Sequence, residues 1–201
     1  ITINPEPQTS TYGTIPKFTH VISSGSVVNN DLHTGDLVTD ALTTSSVGDY
    51  EINLGNLSYG PNYQASFVKG KLTIVPLPID LSADDLEMVY GENVPSLSHS
   101  VPGLINGDAL SGALNTSAHS ASNVGDYEIA QGDLSAGHNY ALTFKSGKLT
   151  VKPRAITINP EPQTSTYGTI PKFTHIISSG SIVNNDSHTG DLVTDALTTS
   201  S

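Results

Sequence analysis

The residues of this chain whose types could do chemistry are a recurring histidine and a recurring set of aspartates. His20, His99 and His175 each follow the same apolar pattern: Phe18 and Ile22 flank His20 on one strand face, and Leu97 and Val101 flank His99. A neutral imidazole is a zinc ligand, but zinc takes three or four ligands and no second His, Cys or carboxylate lies at ligand spacing. Imidazole also titrates near neutral pH, which makes a pH sensor a further reading. The expected role is a hydrogen-bonded histidine at the edge of a core, and the metal assignment stays unknown. Asp31, Asp108 and Asp186 lie in an Asn-rich loop of each copy of a repeat, and Asp49 and Asp126 precede the recurring Tyr50 and Tyr127. Such aspartates are expected to close turns through their side chains. Calcium is the alternative, because it collects six to eight carboxylate and carbonyl oxygens, but no calcium-loop spacing is present. The denser cluster Asp84-Asp85-Leu86-Glu87 occurs in one copy and reads as a solvated loop.

Tyr50 and Tyr127 each follow a Gly turn at the start of a strand, a position from which a tyrosine hydroxyl can bond back to upstream backbone. Lys71 and Lys148 hold equivalent late-strand positions where a Lys–Asn crosslink is conceivable, but neither the buried Asn nor the adjacent acid it needs can be placed. Asn56-Leu57-Ser58 and Asn115-Thr116-Ser117 fit the glycosylation pattern, as short Asn/Ser-rich stretches do by chance. No Gly-x-Ser-x-Gly, phosphate loop, Gly-x-Gly-x-x-Gly or His-Glu-x-x-His occurs. The chain is therefore expected not to be an enzyme, with no catalytic and no cofactor-binding residues.

The elements that position these residues come from internal repetition. Ile1–Ser46 recurs as Ile156–Ser201 with three changes, Val21 to Ile176, Val27 to Ile182 and Leu32 to Ser187, and a diverged copy lies between them. Repetition fixes the architecture before any local assignment. Ile1-Thr2-Ile3 alternates as a strand that Asn4-Pro5-Glu6-Pro7 should stop. Tyr12-Gly13 marks a turn, and Phe18, His20 and Ile22 share the face of the next strand. The loop Asn29-Asn30-Asp31 is expected to hold a short helical turn capped by an Asn or Asp. Leu37–Leu42 is a weaker strand. Tyr50, Ile52 and Leu54 alternate, then Tyr63, Ala65 and Phe67, and Lys69-Gly70 reads as a two-residue hairpin turn into Leu72 and Ile74. The second copy repeats this order through Tyr90-Gly91, Asn106-Gly107-Asp108, Val124–Tyr127 and Tyr140–Val151. Joints of about four residues, Val75-Pro76-Leu77-Pro78 and Val151-Lys152-Pro153-Arg154, are stiffened by proline.

Composition bounds the partners. Nineteen acidic residues against eight basic ones give a net charge of −11. That balance disfavours nucleic acid, whose binding rests on cationic side chains, and anionic membrane surfaces. There is no cysteine, so a module of this size needs help from its neighbours rather than from disulfides. No apolar run is long enough to span a membrane. The chain opens and stops in mid-pattern and reads as a window from a longer array.

The ordered motifs carry a resemblance. Tyr12-Gly13 and Tyr90-Gly91, the run Leu104–Gly112, Val124-Gly125-Asp126-Tyr127, Leu134–Tyr140 and Gly147-Lys148-Leu149-Thr150-Val151 resemble the MBG repeat module of YGX type. Val28–Leu32 departs from it in lacking Asn-Gly-Asp. Such modules occur in tandem in large bacterial surface and secreted adhesins, including filamentous-haemagglutinin-like ones. The resemblance implies a stalk or spacer role and supplies no catalytic residues.

The expected fold is all-β: tandem small Ig-like sandwich modules arranged end to end, with a β-grasp-like sheet as the alternative. The modules are expected at 1–76 and 77–154, with the first half of a third at 155–201. The expected function is an extracellular stalk of a bacterial surface or secreted adhesin. The alternative is that the repeats are weak multivalent binding units for glycan, matrix or like chains. The expected partners are adjacent repeats of the same chain.

Overall fold

The structure is a computed structural model that describes residues 1–100 and 102–195. Val101, and the last residues of the third copy from Ala196, lie outside the described residues. Among the described residues there are fifteen strands and no helix, so the all-β expectation is met. The chain divides into two compact units, the first comprising Ile1–Ala83, His99–Leu114 and Gln131–Lys145, the second Asp84–Ser98, Asn115–Ala130 and the chain from Ser146 onward.

In the first unit, the first copy forms β1 (Thr2–Pro5), β2 (Gln8–Thr11), β3 (His20–Ser24), β4 (Val38–Thr39), β5 (Gly48–Asn53), β6 (Ser66–Phe67) and β7 (Gly70–Val75). They make two sheets, in the orders β3-β1-β6 and β2-β7-β5-β4. The alternation read from the sequence decides which side chains enter the core between them. Ile3 of β1, Ile52 of β5, and Leu72 and Ile74 of β7 join one buried cluster with Leu37, Ala41 and Leu57. Each fully buried aliphatic side chain there contributes about 1.5–3 kcal/mol relative to exposure.

Proline acts later in β1 than the sequence suggests. The strand continues through Pro5, which pairs with His20 across the antiparallel β1–β3 ladder. β6 lies parallel to β1 and pairs only with Thr2 and Ile3. The missing N–H of Pro5 faces the side on which β6 has already ended, so no ladder bond is lost. Glu6-Pro7 then carries the chain into the second sheet, where β2 pairs in parallel with β7.

Lys69-Gly70 is not a hairpin turn. β6 pairs with β1 and β7 pairs with β5 and β2, so this turn carries the chain from one sheet to the other. A Cβ at Gly70 would run into Pro5, which is why glycine stands at the crossing.

The helical turn expected at Asn29-Asn30 is also absent. Asn29 and Asn30 both have left-handed backbone, φ 56° and 55°, and the Asp31 N–H donates to the Val28 carbonyl at 3.0 Å. Two consecutive left-handed residues make a mirror-image tight turn, which asparagine tolerates better than other residues with a side chain. Asn106-Gly107 and Asn184-Asn185 repeat it, with φ 57° and 79° and φ 56° and 60°. The missing Asn-Gly in the first copy therefore leaves the loop unchanged.

The second copy supplies strands to both units. In chain order they are β8 (Leu77–Ser82), β9 (Leu86–Val89), β10 (Asn115–Thr116), β11 (Gly125–Ala130), β12 (Tyr140–Lys145) and β13 (Gly147–Lys152). β8 and β12 pair in parallel within the first unit. The second unit holds the sheet β10-β11-β13-β9, and also β14 (Thr157–Pro160) paired with β15 (His175–Ser179) from the third copy. Ile129, Leu149 and Val151 are its most buried side chains.

Candidate functional site: the contact between repeats

The site that the fold builds most fully lies in the first unit, where the first copy meets the Ile105–Asp108 loop and the start of β12 of the second. It starts from the Tyr-Gly turn. Thr11-Tyr12-Gly13-Thr14 closes with the Thr14 N–H on the Thr11 carbonyl at 3.1 Å, and Gly13 has φ 93°. A glycine is demanded twice, by that φ and because a Cβ would collide with Ile105 of the second copy. The turn presents the Tyr12 side chain, which is only 3% exposed.

Its partner is the Asn-Gly-Asp loop of the next copy. The backbone already closes that loop, as the Asp108 N–H donates to the Ile105 carbonyl. The Asp108 carboxylate is therefore free to accept other donors, and the expectation that it closes the turn is corrected. Its Oδ2 accepts the Tyr12 hydroxyl at 2.9 Å and the Tyr140 hydroxyl at 2.8 Å. Hydrogen bonds to a carboxylate are stronger than those between neutral groups. The Tyr140 hydroxyl in turn accepts the Ile105 N–H at 3.0 Å. The two rings meet edge to face, with centroids 5.5 Å apart and planes at 79°, a favoured aromatic geometry. Burial, first, and the bond to Asp108 push the Tyr140 phenol above its ordinary pKa.

Two more bonds tie the same surfaces. Asn106 Nδ2 donates to the Thr43 carbonyl at 3.1 Å, and the Val47 N–H donates to Asn139 Oδ1 at 3.0 Å. Asn106 thus serves the turn with its backbone and the contact with its side chain.

The second unit holds the next instance. A Cβ on Gly91 would crowd Val183, the counterpart of Ile105. Asn184 Nδ2 donates to the Ser120 carbonyl at 3.0 Å, as Asn106 does to Thr43. Arg154 replaces Leu77 here, and its guanidinium reaches the Tyr90 carbonyl and Ser181 Oγ, each at 3.4 Å.

The structure distributes the other candidates separately. Tyr50 and Tyr127 bond back to the Ser46 and Asn123 carbonyls at 2.8 and 2.9 Å, the structural role expected for them. Asp49 does not close a turn. It bridges from β5 to β7, accepting Thr73 Oγ1 at 2.7 Å and Lys71 Nζ at 3.0 Å, and Asp126 repeats this with Thr150 and Lys148. These bonds hold both carboxyls below the usual carboxylate range, the threonine contributing most. Lys71 and Lys148 are thereby paired on an exposed surface, which does not suit a buried crosslink. Asp84, Asp85 and Glu87 take Ser98, the Lys148 N–H and Lys152 as separate partners.

His20 faces the Tyr59 hydroxyl at 3.0 Å and the His33 ring at 4.9 Å. Burial, then His33, lower its pKa against an opposing effect of Glu6. His175 and His188 repeat the ring pair at 4.7 Å, whereas His99 Nδ1 bonds the Ser100 carbonyl. Among the described residues no three His, Cys, Asp or Glu side chains gather as metal ligands. Sequence reasoning missed His33, which lies outside every strand read there, and the pairing of Tyr12 with Asp108, which joins different repeats.

Among the described residues no helix is long and apolar enough to cross a membrane. No curated protein and no solved structure gives a significant match to the chain. The family model for the MBG domain (YGX type) matches twice, over residues 1–73 and 79–150, and both matches contain a Tyr-Gly turn of the kind just described, so the chain belongs to the MBG domain family as a tandem repeat.

Proposed function

We propose that these repeats are spacer modules of a bacterial surface or secreted adhesin, acting outside the cell to hold a distal adhesive region away from the surface. The observation that carries this reading is the contact between Tyr12, Gly13 and Ile105, Asp108, Tyr140. In the first copy the residues that mark the repeat, Tyr12 and Gly13, are spent on meeting the next repeat. A joint with two buried phenols on one carboxylate resists bending better than a flexible linker does. Modules that contact their neighbours through one recurring surface can be added or lost without new chemistry. Neither catalysis nor a bound metal enters this reading.

Small-angle scattering on residues 1–154, with calcium and with chelator, tests it. The expected result is a rod with a longest dimension of about 70–90 Å in both conditions, taking ~3.3 Å of rise per strand residue. A compact or freely jointed particle would sink the spacer reading in favour of binding by the repeats themselves. A rod only with calcium would make the loop aspartates ion ligands.

A further inference from the structure

One backbone bridge ties the same two loops in the first and second copies, but its neighbours differ. In the first copy the Thr34 N–H donates to the Ser58 carbonyl at 2.8 Å and the Ser58 N–H to the Thr34 carbonyl at 2.9 Å. Ser111 and Ser135 form the same two-way bridge in the second copy, at 2.9 and 2.8 Å. His33 and Tyr59 adjoin the first bridge, whereas Leu110 and Ala136 adjoin the second. The His33 and Tyr59 rings stand 5.8 Å apart, and His20 of β3 faces them at 4.9 and 6.0 Å, with its Nε2 3.0 Å from the Tyr59 hydroxyl. His99, the counterpart of His20, instead donates from Nδ1 to the Ser100 carbonyl at 2.7 Å, a bond that survives protonation of the ring. The imidazole pair recurs in the third copy as His175 and His188, 4.7 Å apart.

We propose that His20, His33 and Tyr59 are an acid-sensitive latch on the Thr34–Ser58 bridge, so that mild acid opens this bridge and leaves Ser111–Ser135 closed. A neutral His20 can accept the phenol proton on Nε2, and a protonated one cannot. The charge on a protonated His20 is half-buried and faces a second imidazole, and both effects oppose it. Burial, then His33, accordingly lower the His20 pKa, against Glu6 beyond β1. Lys17 and Asp36, of opposite sign, line one cavity of about 270 Å³ with the two histidines. Tyr63 stands behind Tyr59 at 6.0 Å and is bonded to Asp31. A base whose pKa is depressed by folding is neutral in both states above its ordinary value, about 6.5, and there the bridge keeps its full stability. As pH falls below that value the open state binds the proton first, and stability is lost until the closed state binds it as well. The bridge joins the segments that carry Asp31 and Tyr63, so its opening also loosens the bond between them.

The test is amide hydrogen exchange on the whole 201-residue chain, with NMR titration of the histidine rings. Exchange is compared at about pH 7.5 and about pH 5.5, a window in which ordinary carboxylates stay charged. After correction for intrinsic rates, Thr34 and Ser58 should lose protection about threefold or more relative to Ser111 and Ser135. His138, in the second copy's loop, is exposed and should leave that reference undisturbed. His33→Leu, which places the second copy's residue at an exposed position, should shrink the loss and raise the titration midpoint of His20. His20→Gln should abolish the loss. Equal acid loss at the two bridges, a loss that survives His20→Gln, or a His20 midpoint unmoved by His33→Leu would each overturn the proposal.

Discussion

Tyr63 and Tyr140 hold the same place in two copies of one repeat, and they differ in what lies against them. Each hydroxyl meets an aspartate and a backbone N–H of a left-handed asparagine turn. Tyr140 also has the Tyr12 ring against it and is 6% exposed. Tyr63 stays half-buried, and the ring beside it is Tyr59 of its own repeat, at 6.0 Å. The socket is thus a property of one repeat, and the joint appears when a Tyr-Gly turn closes over it. Truncation separates the two contributions. Tyr140→Ala should cost about 3–5 kcal/mol, as for a buried aromatic, and Tyr63→Ala about half as much, in urea titrations of the full chain. Equal losses would mean that the Tyr12 contact adds nothing and that the comparison is empty.

The aspartates sharpen the same point at smaller scale. Asp108 accepts two phenols and Asp31 accepts one. Asp108→Ala removes the acceptor that two hydroxyls share, with the Ile105 carbonyl at 3.2 Å left to Tyr140, and is expected to cost about 2–3 kcal/mol, against about 1–1.5 kcal/mol for Asp31→Ala. A double-mutant cycle between Tyr12→Phe and Asp108→Ala should show coupling, whereas Tyr12→Phe with Asp31→Ala should be additive. Additivity in both cycles would remove the shared carboxylate from the account.

Alkaline titration distinguishes the two tyrosines by cause. Both phenols are raised, Tyr140 chiefly by burial and Tyr63 chiefly by its bond to Asp31. A raised phenol keeps its proton in the folded state after the unfolded chain has released it. The stabilisation is complete below the unfolded value and is lost as pH rises past about 10. Tyr140→Phe should therefore flatten the fall in stability above that pH. An unchanged slope would show that ionisation of Tyr140 is not linked to folding.

Much of this fold was legible because alternation reports burial directly. Ile3, Ile52, Leu72 and Ile74 could be assigned to a core from their spacing, since each stands two residues from another inward position. Gln8–Thr11 could not: it is wholly polar, lies behind two prolines, and becomes a strand because β7 offers it a parallel edge. Lys69-Gly70 resembled a hairpin because a sheet crossing and a hairpin both use a short turn with glycine, and only the partners of the flanking strands distinguish them. The joint was less legible still. Tyr12 and Asp108 are 96 positions apart, and nothing local to either residue names the other. The repeat offered one clue, that Tyr-Gly and the loop aspartate recur together, but recurrence does not say which copy meets which.

The finest test of the comparison concerns the turn beneath both sockets. The first and third copies use Asn-Asn where the second uses Asn-Gly, yet all three backbones are left-handed at both positions. Glycine adopts this conformation freely, and asparagine does so with less strain than other side chains. A Cβ built on Gly107 meets nothing within 4 Å. Gly107→Asn should therefore shift stability by less than about 0.5 kcal/mol, its small strain partly offset by a less flexible unfolded chain. Gly107→Val, with a branched Cβ that left-handed backbone disfavours, should cost about 1–2 kcal/mol. If Gly107→Asn proved as costly as Gly107→Val, the three turns would not be equivalent. Tyr63 and Tyr140 would then stand in different sockets, and the difference between them could not be credited to Tyr12.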